Sequence, residues 1–298
     1  MQHSPITYVE PLFRPPSEAN SLIFQVTNGC SWNKCTYCDM YTQQQKRFSV
    51  KPEEQVLKEI EWAGSHIVGM RKVFLADGDA IALSTRRLLN ILNAIREHLP
   101  NVSRVASYCS PNNVTGKSVE DLKALHAAGL DLVYVGAESG DDFVLKSINK
   151  GETYQGTLDA LNRLAEAGIK RSVMLINGVG GARFSEQHAL NSAVLINQTQ
   201  PEYLATLVIN HPHGEARFQE GFGGQYEKMD QFARFRELHQ FVSALDLKAT
   251  IYRSDHASNQ LVLKGVLGKD KQRLLAQIEQ AIERPDQTNL RAEWIRPF

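Results

Sequence analysis

Apolar segments of strand length alternate with segments of helical periodicity along most of the chain, and this alternation limits the possible folds more than any other feature. The strand-like segments are 22–27, 72–76, 103–107, 132–137, 172–176 and 204–209. The stretches between them have amphipathic helical spacing, and Leu88, Leu92 and Ile95, for example, share one helix face. Six such βα units predict a parallel sheet, and we expect an α/β fold built as a partial (β/α)6 TIM-type barrel.

Glycines mark the ends of several predicted helices. Gly64, Gly129 and Gly168 lie at the ends of helical stretches. Glycine is the residue that most often takes the left-handed conformation just after a helix. Each of the three is therefore predicted to end a helix.

The alternation changes after His211. A polar, glycine-rich stretch is followed by a helical segment at 227–245, a short strand at 249–252 and a final helix at 269–282. We therefore expect this last part to pack on the barrel and not to form an independent domain. The predicted parts are an N-terminal extension at 1–20, a core barrel at 21–212 and a small C-terminal α/β extension at 213–298.

Charge and hydropathy exclude several classes of partner. The 298 residues include 33 basic and 33 acidic side chains, so a broad phosphate-neutralising surface is not expected and we predict no nucleic-acid partner. No run approaches the roughly 18 apolar residues of a membrane span. The first residues also lack the basic start and apolar core of an export signal. We predict a cytoplasmic protein with no membrane partner.

Three of the four cysteines fall within nine residues, as Cys30, Cys35 and Cys38 in the spacing C-x4-C-x2-C, directly after the first predicted strand. A tight cysteine cluster in a cytosolic protein indicates metal or redox chemistry. Thiolates are the ligands that zinc and iron–sulfur clusters select. The loop after a strand of a parallel barrel opens at the face where active sites lie, so the spacing predicts a catalytic metal centre.

Two other interpretations of the cysteines remain. A structural zinc site needs four ligands, typically as two pairs, and the sequence has no second pair. A plant-type ferredoxin opens with the same C-x4-C-x2-C spacing. It would need a fourth cysteine, and Cys109 is the one available, far downstream at the end of the third predicted strand.

Further motifs follow the other strands in a fixed order. The second strand ends in Ala-Asp77-Gly78-Asp79, the fourth in Val-Gly-Ala-Glu138 followed by Lys150, and the fifth runs into Gly178. With Tyr37 before the third cysteine, these motifs over about residues 20–212 resemble the radical S-adenosylmethionine (SAM) superfamily, in its coproporphyrinogen-dehydrogenase-like branch. The usual cysteine spacing there is C-x3-C-x2-C, one residue shorter than here.

The resemblance implies a set of cofactors and contacts. Three cysteines would hold a [4Fe–4S] cluster with one iron open to SAM. The backbone around Asp77, Gly78 and Asp79 would hold the SAM amino group. The remaining contacts implied are Glu138 to the sugar, Lys150 to the carboxylate and Gly178 beside the adenine.

The resemblance also implies the chemistry. A reducing partner such as flavodoxin or ferredoxin would supply one electron, and SAM would be cleaved to a 5′-deoxyadenosyl radical that abstracts hydrogen from a substrate. Such an enzyme would be oxygen-sensitive. The cofactors carry this chemistry, and the protein orients them.

Catalytic residues beyond the shared motifs are not identified by the sequence, which offers three candidates. Cys109 is either a small buried hydrophobe or a hydrogen donor or substrate contact. His211 follows the sixth strand and would lie at the active-site face. His256 belongs to the polar loop 253–259, which either contributes to a site or is fixed by its own side chains.

The substrate class is inferred from what the sequence lacks. It contains no further cysteine group, no added basic domain and no segment long enough for a cobalamin-binding domain. We therefore expect a small-molecule substrate. Two alternatives remain, a coproporphyrinogen-type oxidative decarboxylase and an iron–sulfur electron-transfer or carrier protein that does not cleave SAM.

Overall fold

The computed structural model describes residues 4–292, and none of the helices in that range is long and apolar enough to span a bilayer. The chain divides into two compact units, each made of separate stretches. Within the described residues, the first unit comprises 4–33, Met40–Val135 and Asp159–Arg171, and the second comprises Lys34–Asp39, Gly136–Leu158 and 172–292.

Helices and strands alternate along the chain. Up to the strand that leads from the first unit into the second, the elements are β1 (Leu22–Gln25), β2 (Thr27–Asn28), β3 (Ser49–Val50), α1 (Glu53–His66), β4 (Lys72–Ala76), α2 (Thr85–His98), β5 (Arg104–Cys109), α3 (Pro111–Thr115), α4 (Val119–Ala127) and β6 (Leu130–Glu138). The elements that follow are α5 (Asp142–Ser147), α6 (Tyr154–Glu166), β7 (Lys170–Asn177), α7 (Gly181–Thr199), β8 (Tyr203–Val208), α8 (Ala216–Gly221), α9 (Gln231–Ala244), β9 (Ile251–Ser254), β10 (Leu263–Val266) and α10 (Lys271–Glu283).

In the first unit, the strands β1, β4, β5 and β6 lie in that order and pair in parallel. Their central residues are almost all apolar and buried, among them Phe24, Phe74 and Val133. Continuous apolar strands of this kind are typical of parallel sheets covered on both faces. β2, just after β1, forms a separate antiparallel pair with β3.

In the second unit, β7, β8 and β9 pair in parallel, and β10 runs antiparallel to β9. The helix α9 begins where the side chain of Asp230 accepts a hydrogen bond from the backbone N–H of Ala233. The shorter α5 begins in the same way at Asp141. These caps satisfy backbone donors that the first turn of a helix leaves without partners.

The six predicted strands are all observed, each within a few residues of its expected bounds, and the α/β class is confirmed. The final helix and the 227–245 helix are also present. The prediction that Gly64 ends a helix is wrong, because α1 continues to His66. A Cβ at Gly64 would lie 2.4 Å from the carbonyl oxygen of His98, so this glycine allows close packing instead. The strand β10 was not predicted.

Candidate cofactor site

The first half of the cysteine loop is held within the first unit. Gly29 has φ +68, and a Cβ there would lie 2.1 Å from the carbonyl oxygen of Lys46, so the position requires glycine. The Ser31 hydroxyl donates a hydrogen bond to Asp79. The Asn33 amide donates to the carbonyl oxygen of Tyr41 at 2.9 Å. These contacts fix the backbone on both sides of Cys30.

Asp77, at the end of β4, lies in a buried ion pair. Its carboxylate pairs with the ammonium of Lys46, and neither side chain is exposed to solvent. The hydroxyl of Tyr41 donates a hydrogen bond of 2.8 Å to the other carboxylate oxygen. Burial raises the pKa of Asp77, although Lys46 and Tyr41 oppose the shift. The Asp77 carboxylate therefore fixes the turn from within the protein.

Gly78 and Asp79 complete this turn. A Cβ at Gly78 would lie 2.6 Å from the ring of Tyr41, so only glycine fits against that ring. The Asp79 carboxylate accepts from the side-chain amide of Asn113 at 2.5 Å as well as from Ser31. Both acidic side chains thus contact neighbouring side chains. The contact expected between this segment and the SAM amino group therefore involves the backbone.

Cys109 is buried at the last position of β5. Its thiol donates a hydrogen bond of 3.4 Å to the carbonyl oxygen of Ser110. Lys117, which the sequence did not single out, has the acidic groups of Asp121, Cys109 and Asp79 in its surroundings. Burial lowers the pKa of Lys117, and the neighbouring acidic groups oppose this shift.

The second half of the cysteine loop belongs to the second unit. The backbone N–H of Thr36 donates to the carbonyl oxygen of Ile148 at 3.0 Å. The side-chain amide of Asn149 donates to the carbonyl oxygen of Lys34 at 3.1 Å. Cys35 therefore lies on a segment held against the turn that carries Lys150.

Glu138 and Lys150, twelve residues apart in sequence, form an ion pair in this unit. The Lys150 ammonium donates to Glu138 Oε1 at 3.1 Å, and the side chains are 14% and 11% exposed. A Cβ at Gly136 would lie 2.2 Å from the same oxygen, so this glycine makes room for the pair. Burial opposes the charge on Lys150, but Glu138 and then Cys35 outweigh it and raise the pKa of Lys150 above its ordinary value.

Tyr37 lies beside the same groups. Burial, followed by Glu138, Cys35 and Cys38, raises the pKa of Tyr37 well above its ordinary value, so its hydroxyl stays protonated. The ring packs against a buried apolar cluster of the second unit. Members of that cluster include Val144, Ile148, Ile209, Phe218, Phe222 and Tyr226.

Gly178 follows β7 with φ +84, a conformation that side chains disfavour. Its backbone N–H donates to Glu237 Oε1 at 2.5 Å, and the side-chain amide of Asn177 donates to the same oxygen at 2.8 Å. Sequence reasoning missed Glu237. A lone acidic residue in the helix α9 carries no local signal that its carboxylate is buried under a turn.

The two candidate histidines have partners within the second unit. His211 shares a hydrogen bond of 2.8 Å with the hydroxyl of Tyr226, and burial lowers the pKa of its ring. His256 shares a 2.9 Å hydrogen bond with Ser258, and burial likewise lowers its pKa. Arg291 donates to the carbonyl oxygen of His256 at 2.7 Å. The loop 253–259 is thus fixed largely by its own side chains and by Arg291.

The donor chemistry of the cysteine loop fits an iron–sulfur cluster. Cys30, Cys35 and Cys38 are half-buried, and none is in a disulfide. Thiolates with partial exposure are suited to a cluster that must also meet a second ligand. Among residues 4–292, no three His, Cys, Asp or Glu side chains are gathered closely enough to hold a metal ion. The fit therefore rests on the donors and not on a preformed arrangement.

Residues 24–193, more than half of the chain, match the Radical SAM superfamily, and the chain belongs to that family. The fold and the cysteine loop thus define a radical SAM protein, a class of enzymes that bind a [4Fe–4S] cluster and SAM. The resemblance stated from the sequence is confirmed, as are these two cofactors of the family.

Individual relatives are distant. The chain is 26% identical over 171 residues to 4′-phospho-dehydrooxetanocin synthase of Priestia megaterium, covering 52% of this chain and 23% of that protein. It is 22% identical over 170 residues to the heme chaperone HemW of Bacillus subtilis, covering 55% and 44%. The chain therefore spans less than half the length of these curated relatives.

A solved structure shares the fold. Coproporphyrinogen III oxidase (HemN) of Escherichia coli matches with a TM-score of 0.54 and 15% identity, over 75% of this chain and 51% of that one. At this identity the likeness concerns the fold alone. It confirms the predicted partial-barrel class.

Proposed function

We propose that this chain binds one [4Fe–4S] cluster through Cys30, Cys35 and Cys38 and is an enzyme that cleaves SAM reductively. The observation that carries the proposal is the shielded Glu138–Lys150 pair next to Cys35. The three thiols are the ligands that a cluster requires. A charged ammonium and a carboxylate at a strand end are the groups that SAM, an amino-acid sulfonium, requires. The bound cofactors would supply an electron and a 5′-deoxyadenosyl radical that removes hydrogen from the substrate.

Glu138 and Lys150 are expected to hold opposite parts of SAM. Glu138 has φ +63, which a residue with a side chain adopts at a cost, and strained residues of this kind cluster at ligand sites. A largely buried ion pair also costs desolvation free energy, so it is weak evidence for a role in stability. We infer that Lys150 pairs with the SAM carboxylate and that Glu138 accepts a hydrogen bond from the ribose.

The other motif residues have simpler roles in this proposal. The backbone of Asp77, Gly78 and Asp79 would bind the SAM amino group, since the two carboxylates already have partners. Gly178 would allow the adenine to approach the backbone. Tyr37, protonated and packed on apolar side chains, would exclude water from one side of the site.

The proposed partners are a small-molecule substrate and a one-electron reductant such as flavodoxin or ferredoxin. The reductant has to reach a cluster loop whose thiols are half-buried, which suits transfer at the surface. The neutral net charge gives no support to a nucleic-acid substrate. The proposed compartment is the cytoplasm, where thiols stay reduced.

One alternative function is favoured by a specific curated relative. The match to a heme chaperone of the same superfamily favours, as a second candidate, a carrier protein that does not cleave SAM. A carrier would bind the cluster and produce no 5′-deoxyadenosine. The likeness to HemN concerns fold alone and does not favour a coproporphyrinogen-type decarboxylase.

The test is an anaerobic assay. The protein is reconstituted with iron and sulfide, reduced with dithionite and given SAM, and 5′-deoxyadenosine is measured by chromatography. The expected result is its formation by the wild type and its loss in Cys35→Ala, which should also lose iron. Cys109→Ala is the matched control for iron content, because Cys109 lies outside the loop. Iron binding with no 5′-deoxyadenosine would favour the carrier, and absence of iron would overturn the cluster assignment.

A further inference from the structure

Glu237 is a buried carboxylate under the Gly178 turn. Its side chain lies on α9 and the residue is 2% exposed. One oxygen, Oε1, accepts both the backbone N–H of Gly178 and the side-chain amide of Asn177. These are the donors at the end of β7, where a parallel α/β fold presents its ligand-binding loops.

The other carboxylate oxygen of Glu237, Oε2, is unfavourable for the stability of the fold. Among residues 4–292, Oε2 has no hydrogen-bond partner although it is buried. A buried carboxylate without full compensation destabilises the fold, so packing alone does not account for this residue. Its benefit has to come from what Oε1 fixes.

His188 continues the chain of polar contacts. Its Nε2 lies 3.9 Å from Glu237 Oε1, and its Nδ1 shares a 2.8 Å hydrogen bond with the hydroxyl of Ser139. Ser139 directly follows Glu138. Glu237, His188 and Asn177 also line a cavity of about 10 Å³, which has room for about one water molecule. Buried polar contacts therefore connect the Gly178 turn with the turn that carries Glu138.

We propose that Glu237 and His188 are positioning residues that hold together the two turns that contact the adenosyl half of SAM. The inference rests on the proposed function, in which Gly178 lies beside the adenine and Glu138 beside the ribose. Glu237 fixes the first turn through Gly178, and His188 fixes the second through Ser139. The cysteines, proposed to lie at the methionine half, are not part of these contacts, and Lys150 meets them only through its ion pair with Glu138.

Binding of the two halves of SAM should therefore respond differently to loss of Glu237. Loss of Glu237 should impair recognition of the adenosyl half and leave the methionine half unaffected. Loss of a residue that contributes only to stability would weaken binding of both halves of SAM together, or of neither.

The experiment uses the reconstituted protein and three separate probes, SAM, 5′-deoxyadenosine and methionine, with affinities measured by calorimetry. Glu237→Ala removes the acceptor of the Gly178 N–H and leaves the Asn177 amide with the carbonyl oxygen of Arg234 alone, so we expect affinity for SAM and 5′-deoxyadenosine to fall on the order of tenfold. Methionine affinity and iron content should stay as in the wild type. Glu237→Gln keeps an acceptor in place and should restore most of the loss.

The matched control is Glu279→Ala. Glu279 also pairs with a histidine, His239, at 2.9 Å, but on an exposed surface. Its removal should leave all three affinities unchanged. If Glu237→Ala fails to fold, Glu237→Asp, which withdraws the carboxylate by one methylene, should show the same selective loss.

Three outcomes would overturn the proposal. Unchanged SAM affinity in Glu237→Ala or Glu237→Asp would show that the turn needs no such support. An equal loss of methionine and 5′-deoxyadenosine binding would identify a general structural effect. If the wild type itself does not bind SAM, the proposed function fails and this inference fails with it, which separates that case from the other two.

Discussion

The ammonium of Lys150 and the carboxylate of Glu138 lie 3.1 Å apart beside Gly136, where any side chain would collide with that carboxylate. Both residues were selected from the sequence for separate reasons, one as the end of a buried strand and the other as a basic residue further on. The structure brings them into one contact. The pair is shielded from water, so removing either side chain leaves the other largely buried without its partner.

Replacing Glu138 by alanine should weaken SAM binding without loss of iron. The substitution removes the proposed ribose acceptor and leaves Lys150 without its partner, and a hydrogen bond to a charged group corresponds to about tenfold in affinity or more. Calorimetric titration of the reconstituted variant with SAM measures the effect. The control is Glu166→Ala, which removes the exposed partner of Lys123. Unchanged affinity in Glu138→Ala would remove this residue from the site.

Gly136→Ala should displace the Glu138 carboxylate. The new Cβ would lie 2.2 Å from Glu138 Oε1, and the side chain would have to turn away from Lys150. We expect both a lower melting temperature and weaker SAM binding. Gly116→Ala is the matched control, because its nearest neighbour would lie at 3.7 Å and its backbone suits alanine. Equal behaviour of the two variants would contradict the steric argument.

Lys46→Met should destabilise the protein strongly. It leaves the buried carboxylate of Asp77 without its cation, and breaking a buried pair on one side costs about 3–5 kcal/mol. Chemical denaturation of the apoprotein measures the free energy of unfolding. Lys58→Met, which breaks the exposed pair with Glu54, should scarcely change it. A small effect at Lys46 would mean that Asp77 is protonated in the folded protein.

His211 should make stability depend on pH. Burial, followed by the charge of Lys228, lowers the pKa of His211 in the folded protein below its ordinary value of about 6.5. The unfolded chain therefore binds more protons than the folded chain as pH falls below that value, and folding becomes less stable there. Melting temperatures at about pH 7.5 and about pH 5.5 should differ less in His211→Gln than in the wild type. A difference as large in His211→Gln as in the wild type would contradict this prediction.

Much of the fold could be predicted because it depends on local patterns. Buried parallel strands have apolar runs and helices have amphipathic spacing, so the strand from Lys72 to Ala76 was predicted with its observed bounds. The strand β10 was not predicted because it is short and partly polar, and its pairing with β9 comes from the tertiary fold.

The candidate site shows the same limit. Cysteine spacing is visible in one loop, but the partner of Asp77 is Lys46, 31 residues earlier, and no periodicity connects them. Sequence reasoning therefore found the acidic turn without finding that its carboxylates already have partners. Glu237 was missed for the same reason, since its contact with Gly178 joins residues 59 positions apart.

The packing of Gly78 on the ring of Tyr41 also limits how this sequence can vary over evolution. Because a Cβ at position 78 would overlap the ring, neither position can change independently toward a larger residue. Tyr41 in turn donates to Asp77, so a smaller residue at 41 gives up that hydrogen bond. Homologues with a side chain at position 78 should therefore have lost the tyrosine at 41, and the two substitutions should occur together.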